Sequence, residues 1–177
     1  MSFPLLILED VRVVPFGINH LTNRYVSWLN DPEVVCYSEQ RHVKHSLESC
    51  TKYFEGICES NNLFLAIEAS APELGHIGNI GVVLDRNNAV ADVTIIVGEK
   101  KAWNTGLASR AWCGVVSQLF STYDLRKITA GTMSANESMI RLMKRSGMQI
   151  ESVRKRQFIW RADEVDLIQG AVFRKTP

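Results

Sequence analysis

The stretch that most constrains the fold is residues 92–108, where Asp92-Val93-Thr94-Ile95-Ile96-Val97 runs into Gly98-Glu99-Lys100-Lys101-Ala102-Trp103-Asn104-Thr105-Gly106-Leu107-Ala108. Its first part is β-branched nearly throughout, and from Leu107 to Tyr123 the apolar residues recur at helical spacing. A strand, a tight turn and a helix N-terminus therefore meet here. Such a junction presents backbone N–H groups at the positive end of a helix dipole, and Gly106 lets a ligand approach the backbone with no Cβ in the way. An anionic group such as a pyrophosphate suits it. Most strand-to-helix turns bind nothing, so the junction alone does not decide the matter. The chain contains neither G-x-x-x-x-G-K-(S/T) nor G-x-G-x-x-G, which excludes a P-loop and a dinucleotide fingerprint.

The 177 residues suit one domain spanning 1–177. A net charge of +1 supplies no basic field for nucleic acid, so a nucleic-acid partner is not expected. Glu9 and Asp10 cut short the only apolar run near the N-terminus, and no segment approaches the length of a membrane span. A cytoplasmic protein with no membrane partner is the expectation. Cys36, Cys50, Cys58 and Cys113 show no ligand or disulfide spacing, so they read as reduced thiols and no metal is expected.

Pattern and turn residues predict a strand over Leu6–Val14, a helix over His20–Leu29 stopped by Asn30-Asp31-Pro32, and an amphipathic helix over Leu47–Glu59 with Ser46 as N-cap. Strands follow at Leu63–Ala69, His76–Leu84 and Val90–Val97, the last two joined by the turn-rich Asp85-Arg86-Asn87-Asn88. Beyond the helix from Leu107 come a strand over Lys127–Met133, a helix over Glu137–Arg145 ending at Gly147, and two strands, Glu151–Trp160 and Glu164–Phe173. The order β-α-α-β-β-β-α-β-α-β-β implies an α/β (α+β mixed) fold with helices on both faces of a mixed sheet.

With the strand–turn–helix junction at its centre, this order resembles the GNAT superfamily of acetyl-CoA-dependent N-acetyltransferases. Trp103-Asn104-Thr105-Gly106-Leu107-Ala108 fits the family motif (Q/R)-x-x-G-x-(G/A) at Gly106 and Ala108 and departs from it at Trp103. Residues 25–34, 76–81, 125–128 and Asn136 through Gly147-Met148 are similar to the branch of ribosomal-protein-alanine and amino-sugar acetyltransferases. The resemblance implies a splayed, mostly antiparallel, seven-stranded sheet and acetyl-CoA as cosubstrate. The backbone of residues 104–108 would hold the CoA pyrophosphate, and the strand ending at Ile96-Val97 would pair with the pantetheine arm. Asn136 would contact the cofactor, and Trp103 either packs on it or is an ordinary tryptophan. A homodimer is compatible with the resemblance.

Acetyl transfer to an amine needs a base for the ammonium, a donor that polarises the thioester carbonyl, and a proton for the thiolate. Asp92 stands where the branch usually has a glutamate and is the candidate base, its alternative reading being an exposed strand-end acid; Glu99 is second. The polarising donor would be a backbone N–H near Ile96 or Val97. Met139 occupies the branch's serine position, which leaves Ser138 or water as the acid. Trp28, Tyr37, Gln40, Arg41 and His42, with Arg156 and Trp160 opposite, would build an acceptor pocket, or else serve packing and surface charge. The basic residues Lys144, Arg145 and Arg154-Lys155-Arg156 read as solvated faces or as partners for a phosphate. These residues suit transfer of acetyl to a primary amine by direct attack in a ternary complex, first of all on an amino-sugar nucleotide. The alternatives are a peptide N-terminus as acceptor and a non-catalytic acyl-CoA-binding module.

Overall fold

The structure is a computed structural model that describes residues 3–174. The chain begins with a hairpin. β1 (Leu6–Leu8) and β2 (Val11–Pro15) pair antiparallel with Leu8 opposite Val11, so Glu9 and Asp10 form a two-residue turn in which Glu9 takes a positive φ. The single strand expected over Leu6–Val14 is thus two strands, and the sheet has eight strands where the resemblance implied seven. The polar pair at positions 9 and 10 folds the chain back, and the Asp10 carboxylate is held by the Arg110 guanidinium, Nε at 2.6 Å.

α1 (Asn23–Leu29) starts at its Thr22 cap, whose hydroxyl accepts from Tyr25 N, while Ile18–His20 forms a separate 3-10 turn. This is why the helix is shorter than the His20–Leu29 expected. α2 (Leu47–Glu59) is capped reciprocally by Ser46 and Ser49. β3 (Leu63–Ala69), β4 (His76–Asp85) and β5 (Val90–Val97) form an antiparallel meander, followed by α3 (Leu107–Thr122), β6 (Lys127–Met133), α4 (Glu137–Arg145), β7 (Gln149–Trp160) and β8 (Asp163–Phe173). The sheet order is β1-β2-β3-β4-β5-β6-β8-β7, in which only β5 and β6 run parallel among the described residues.

Alternation along the strands supplies a core to each face. Leu65 and Ile67 join Trp112, Val115 and Leu119 of α3 in the larger core, whereas Ala66 turns the other way to meet Tyr25, Trp28 and Cys50 of α1 and α2. Two features position the site. First, β5 and β6 pair only at Val90–Lys127, Ala91–Ile128 and Asp92–Thr129 and then diverge, so residues 93–97 have no neighbouring strand on that side. Second, three residues of β7, Lys155 to Gln157, stand opposite Asp166 alone, and Arg156 takes a positive φ. The resulting bulge bends the hairpin. Trp160 at its end donates its indole N–H to Cys36 O at 3.0 Å and stacks on Tyr37, ring centroids 5.2 Å apart.

Candidate active site

The gap between β5 and β6 leads from the turn before α3 to a cavity of about 460 Å³ on the α1/α2 side of the sheet. One wall is β5 residues 94–97, another is Gly131, Thr132, Asn136 and Met139, and the roof is α1, α2 and the 30–46 connection between them. No Asp or Glu lines it.

Pairing parity decides which backbone groups face the gap. Gly98 N donates to Ile77 O at 2.9 Å. By the two-residue alternation of an antiparallel ladder, Ile96 and Thr94 then spend their backbone groups on Asn79 and Gly81 of β4. Ile95 and Val97 direct theirs into the gap. Of the two residues expected to meet the pantetheine arm, Val97 therefore offers its N–H and Ile96 does not; Ile96 contributes only its side of the cavity wall. The Val97 carbonyl already accepts the indole N–H of Trp103 at 2.9 Å, which holds this 36 % exposed ring at the end of the gap.

The turn itself has the form of an anion cradle. Asn104 and Gly106 adopt positive φ values of 62° and 91°, with Gly106 as the N-cap of α3. The N–H groups of Asn104, Thr105, Gly106, Ala108 and Ser109 have no acceptor in the protein among the described residues, and that of Leu107 makes only a long 3.4 Å contact with Thr105 Oγ1. Consecutive unpaired N–H groups at a helix N-terminus form a binding site for phosphate oxygens. Leu107 anchors this end in the core, 6 % exposed, and the Arg110 guanidinium lies beside Gly106, where an added Cβ would come within 3.1 Å of it. The residues fit a CoA pyrophosphate.

Asp92 sits where the two strands part, on the same sheet face as Thr94 and Ile96. Its carboxylate accepts from Thr129 Oγ1 at 2.7 Å. Although the residue reaches solvent, the surrounding sheet surface desolvates the carboxyl and raises its pKa, with the Thr129 hydrogen bond opposing. It stands just beyond the cavity. Glu99 is committed elsewhere: it caps the turn at Lys101 N and pairs with Arg24 at 2.5 Å, and these contacts hold its carboxyl below the usual range against partial burial.

Asn136 caps α4, accepting from Met139 N at 3.2 Å and donating to Thr132 Oγ1 at 3.0 Å, and also lines the cavity. Ser138 does not: it lies on the exposed face of α4, where its hydroxyl accepts from Arg141. Met139, 9 % exposed, occupies the wall where a hydroxyl was sought.

Tyr37 and Gln40 line the cavity as expected. Trp28 is a core residue, 6 % exposed, and its ring packs flat against Gly98, which has no room for a Cβ. Arg41 faces a second, more open cavity of about 600 Å³. Lys155 and Arg156 are paired with Asp166 and Glu164 across the β7–β8 hairpin, so the basic run at 154–156 is largely neutralised.

Several wall residues were not singled out in the sequence. Asn79 on β4 is 5 % exposed; its Oδ1 accepts the His76 imidazole N–H at 2.7 Å, which leaves its NH2 directed to the cavity. Burial lowers His76 to a pKa of about 4, so it is a neutral donor that fixes the amide orientation. A polar residue between glycines in an apolar strand, Gly78-Asn79-Ile80-Gly81, was the available signal. His45 is the other. Its backbone N–H and C=O are both bonded to the Asn30 side chain at 2.9 Å, and its Nε2 is buried with no partner. Cys50 and Tyr25 also line the cavity, and burial pushes both the thiol and the phenol up.

A family model described as "Acetyltransferase (GNAT) domain" matches residues 11–149. No curated protein matches the chain by sequence. Among solved structures, a GNAT-family acetyltransferase from Bacillus anthracis superposes with a TM-score of 0.80 at 17 % identity, covering 96 % of this chain and 98 % of that one. A ribosomal-protein-S5-alanine acetyltransferase from Vibrio fischeri gives a TM-score of 0.82 at 15 % identity, with 96 % of each chain covered. A spermidine N-acetyltransferase from Vibrio cholerae, solved with CoA and spermine, gives 0.81 at 15 % identity over 93 % of this chain and 95 % of that one. The structural likenesses establish a shared fold, and the match over residues 11–149 establishes descent: the chain belongs to the GNAT family of acetyl-CoA-dependent N-acetyltransferases.

Proposed function

We propose that this protein transfers the acetyl group of acetyl-CoA to a primary amine on a small polar acceptor, with an amino-sugar nucleotide as the favoured class. The observation that carries the reading is the divergence of β5 from β6 after three residue pairs, with the gap ending at the unpaired N–H groups of residues 104–106, 108 and 109. An extended amide-bearing arm completes an open strand edge, and a pyrophosphate completes the cradle. Acetyl-CoA has both parts, and supplies an acyl thioester.

The remaining steps belong to the chain. The Val97 N–H points into the gap and polarises the thioester carbonyl. The acceptor amine enters from the cavity side, between Asn79, Thr94 and the 30–46 connection. Asp92, at the parting of the strands and desolvated enough to be a stronger base than a free aspartate, takes the ammonium proton through water. Ser138 is turned away from the cavity, so water supplies the proton that the departing thiolate requires. Direct attack is favoured over an acyl-enzyme because the only cysteine lining the cavity, Cys50, is held as its thiol. A roof formed by α1, α2 and the 30–46 connection favours a compact acceptor over a protein N-terminus.

The test is incubation with acetyl-CoA and a panel of amines, following thiol release and product mass. Acetylated amino-sugar product is the expected result. Stabilisation by acetyl-CoA with no product from any amine would overturn the catalytic reading in favour of an acyl-CoA-binding module.

A further inference from the structure

The second cavity, of about 600 Å³, shares the wall residues Leu29, Gln40 and Val43 with the first, so the two recesses adjoin across the 30–46 connection. Their charge differs sharply. The first has no charged carboxylate, lysine or arginine in its wall, while the second is lined by Arg41, His42, Lys44 and Arg161 and by no Asp or Glu.

The pairing of these basic groups matters more than their number. Arg41 is bound in place: its guanidinium donates to Ser38 O at 2.9 Å and Ile159 O at 3.3 Å, and pairs with Glu39 at 2.7 Å. Glu39 also lies 4.0 Å from His42. Lys44 and Arg161 have no carboxylate partner among the described residues. Arg161 stands at the tip of the β7–β8 turn with a φ of 50°, its guanidinium 4.5 Å from the centre of the Trp160 ring. That ring is itself tied to Cys36 and Tyr37, so the far wall is fastened to the roof of the first cavity. The bulge at residues 155–157 brings the cationic turn to this place.

We infer that this recess takes the anionic part of the acceptor, a phosphate or diphosphate on the body of the amine, with Lys44 and Arg161 as its charge partners and the reacting amine reaching through to the first cavity. The inference rests on the acetyltransferase reading and sharpens it. A recess with cations unmatched by acids, adjoining a neutral one, selects a molecule with the opposite charge at one end. A polyamine needs carboxylates along its path, and neither cavity lines one.

The experiment compares glucosamine, glucosamine 1-phosphate, UDP-glucosamine and spermidine as acceptors for the full chain. It reads kcat/KM for each, alongside thermal stabilisation by acetyl-CoA. The phosphorylated amines are expected to exceed glucosamine by about tenfold or more, the worth of one charge-assisted contact. In Lys44→Gln and Arg161→Gln that ratio falls towards one through KM, while stabilisation by acetyl-CoA persists. Equal efficiency with and without phosphate, preference for spermidine, or variants that keep the wild-type ratio would each overturn the inference and leave the acetyltransferase reading standing. Absence of both acetyl-CoA stabilisation and thiol release with every amine would overturn both.

Discussion

Asp92 carries opposite demands for folding and for catalysis. A carboxyl whose folded pKa lies above its unfolded value favours the folded state at low pH, and that contribution is lost as pH rises through the folded pKa. Near neutral pH the charged side chain therefore costs stability. Asp92→Asn keeps an acceptor for the Thr129 hydroxyl and removes the charge. The expected outcome is a slightly more stable protein at pH 7 by urea denaturation, with turnover lower by about 10²–10⁴-fold. Unchanged turnover would remove Asp92 from the mechanism. His76 gives the reverse sign. With its pKa lowered from 6.5 to about 4, the unfolded chain binds a proton that the folded chain refuses, so stability falls as pH drops from 6.5 towards 4. The loss amounts to about 2 kcal/mol at pH 5. Urea midpoints at pH 7 and pH 5 read it, and His76→Asn should abolish most of the difference.

At the scale of elements, two glycines make contrasting predictions. A Cβ at Gly98 would lie 1.9 Å from the Trp28 ring, so Gly98→Ala must displace either α1 or the end of β5, at about 1–3 kcal/mol. Gly56 in α2 meets nothing within 4 Å, and Gly56→Ala should stabilise by about 0.5–1 kcal/mol through helix propensity alone. Thermal denaturation of both variants checks the pair. The cradle, the meander and the start of α2 were legible in the sequence because local chemistry decides them: β-branched runs, Ser46 as a cap, Gly106 at the strand-to-helix turn; the start of α1 at Thr22 was not. What escaped depends on partners far along the chain. Nothing local says that Arg110 will hold Asp10 in a turn, that residues 155–157 will face Asp166 alone, or that Ile96 will spend its N–H on β4 while Val97 does not. The choice between pocket and packing for Trp28 stayed open for the same reason: an aromatic on an amphipathic helix reads alike whether it faces substrate or, as here, Gly98.

At the scale of the molecule, the tie between Trp103 and Val97 gives a spectroscopic handle. A pantetheine arm that pairs along β5 competes for the carbonyl that the indole now occupies. Addition of CoA is expected to change tryptophan emission in the wild type and to leave Trp103→Phe nearly silent, since Trp28 and Trp112 are buried in the two cores and Trp160, stacked on Tyr37, lines the second cavity rather than the gap. A saturating ligand present at a hundred times its Kd should also raise stability by about 2.7 kcal/mol, readable as a rise in Tm.

The parting of β5 from β6 has one more consequence. Most strands at the centre of a sheet are locked on both edges, and their amides exchange with solvent only when the whole domain opens. Here the central strand is locked on one edge alone beyond Asp92, and the inward-facing amides of Ile95 and Val97 lie against whatever fills the gap. Their deuterium uptake is therefore a gauge of occupancy that needs no chemistry to work. It should be fast in the free protein, slow when acetyl-CoA is bound, and unaffected by substitutions that abolish only the transfer.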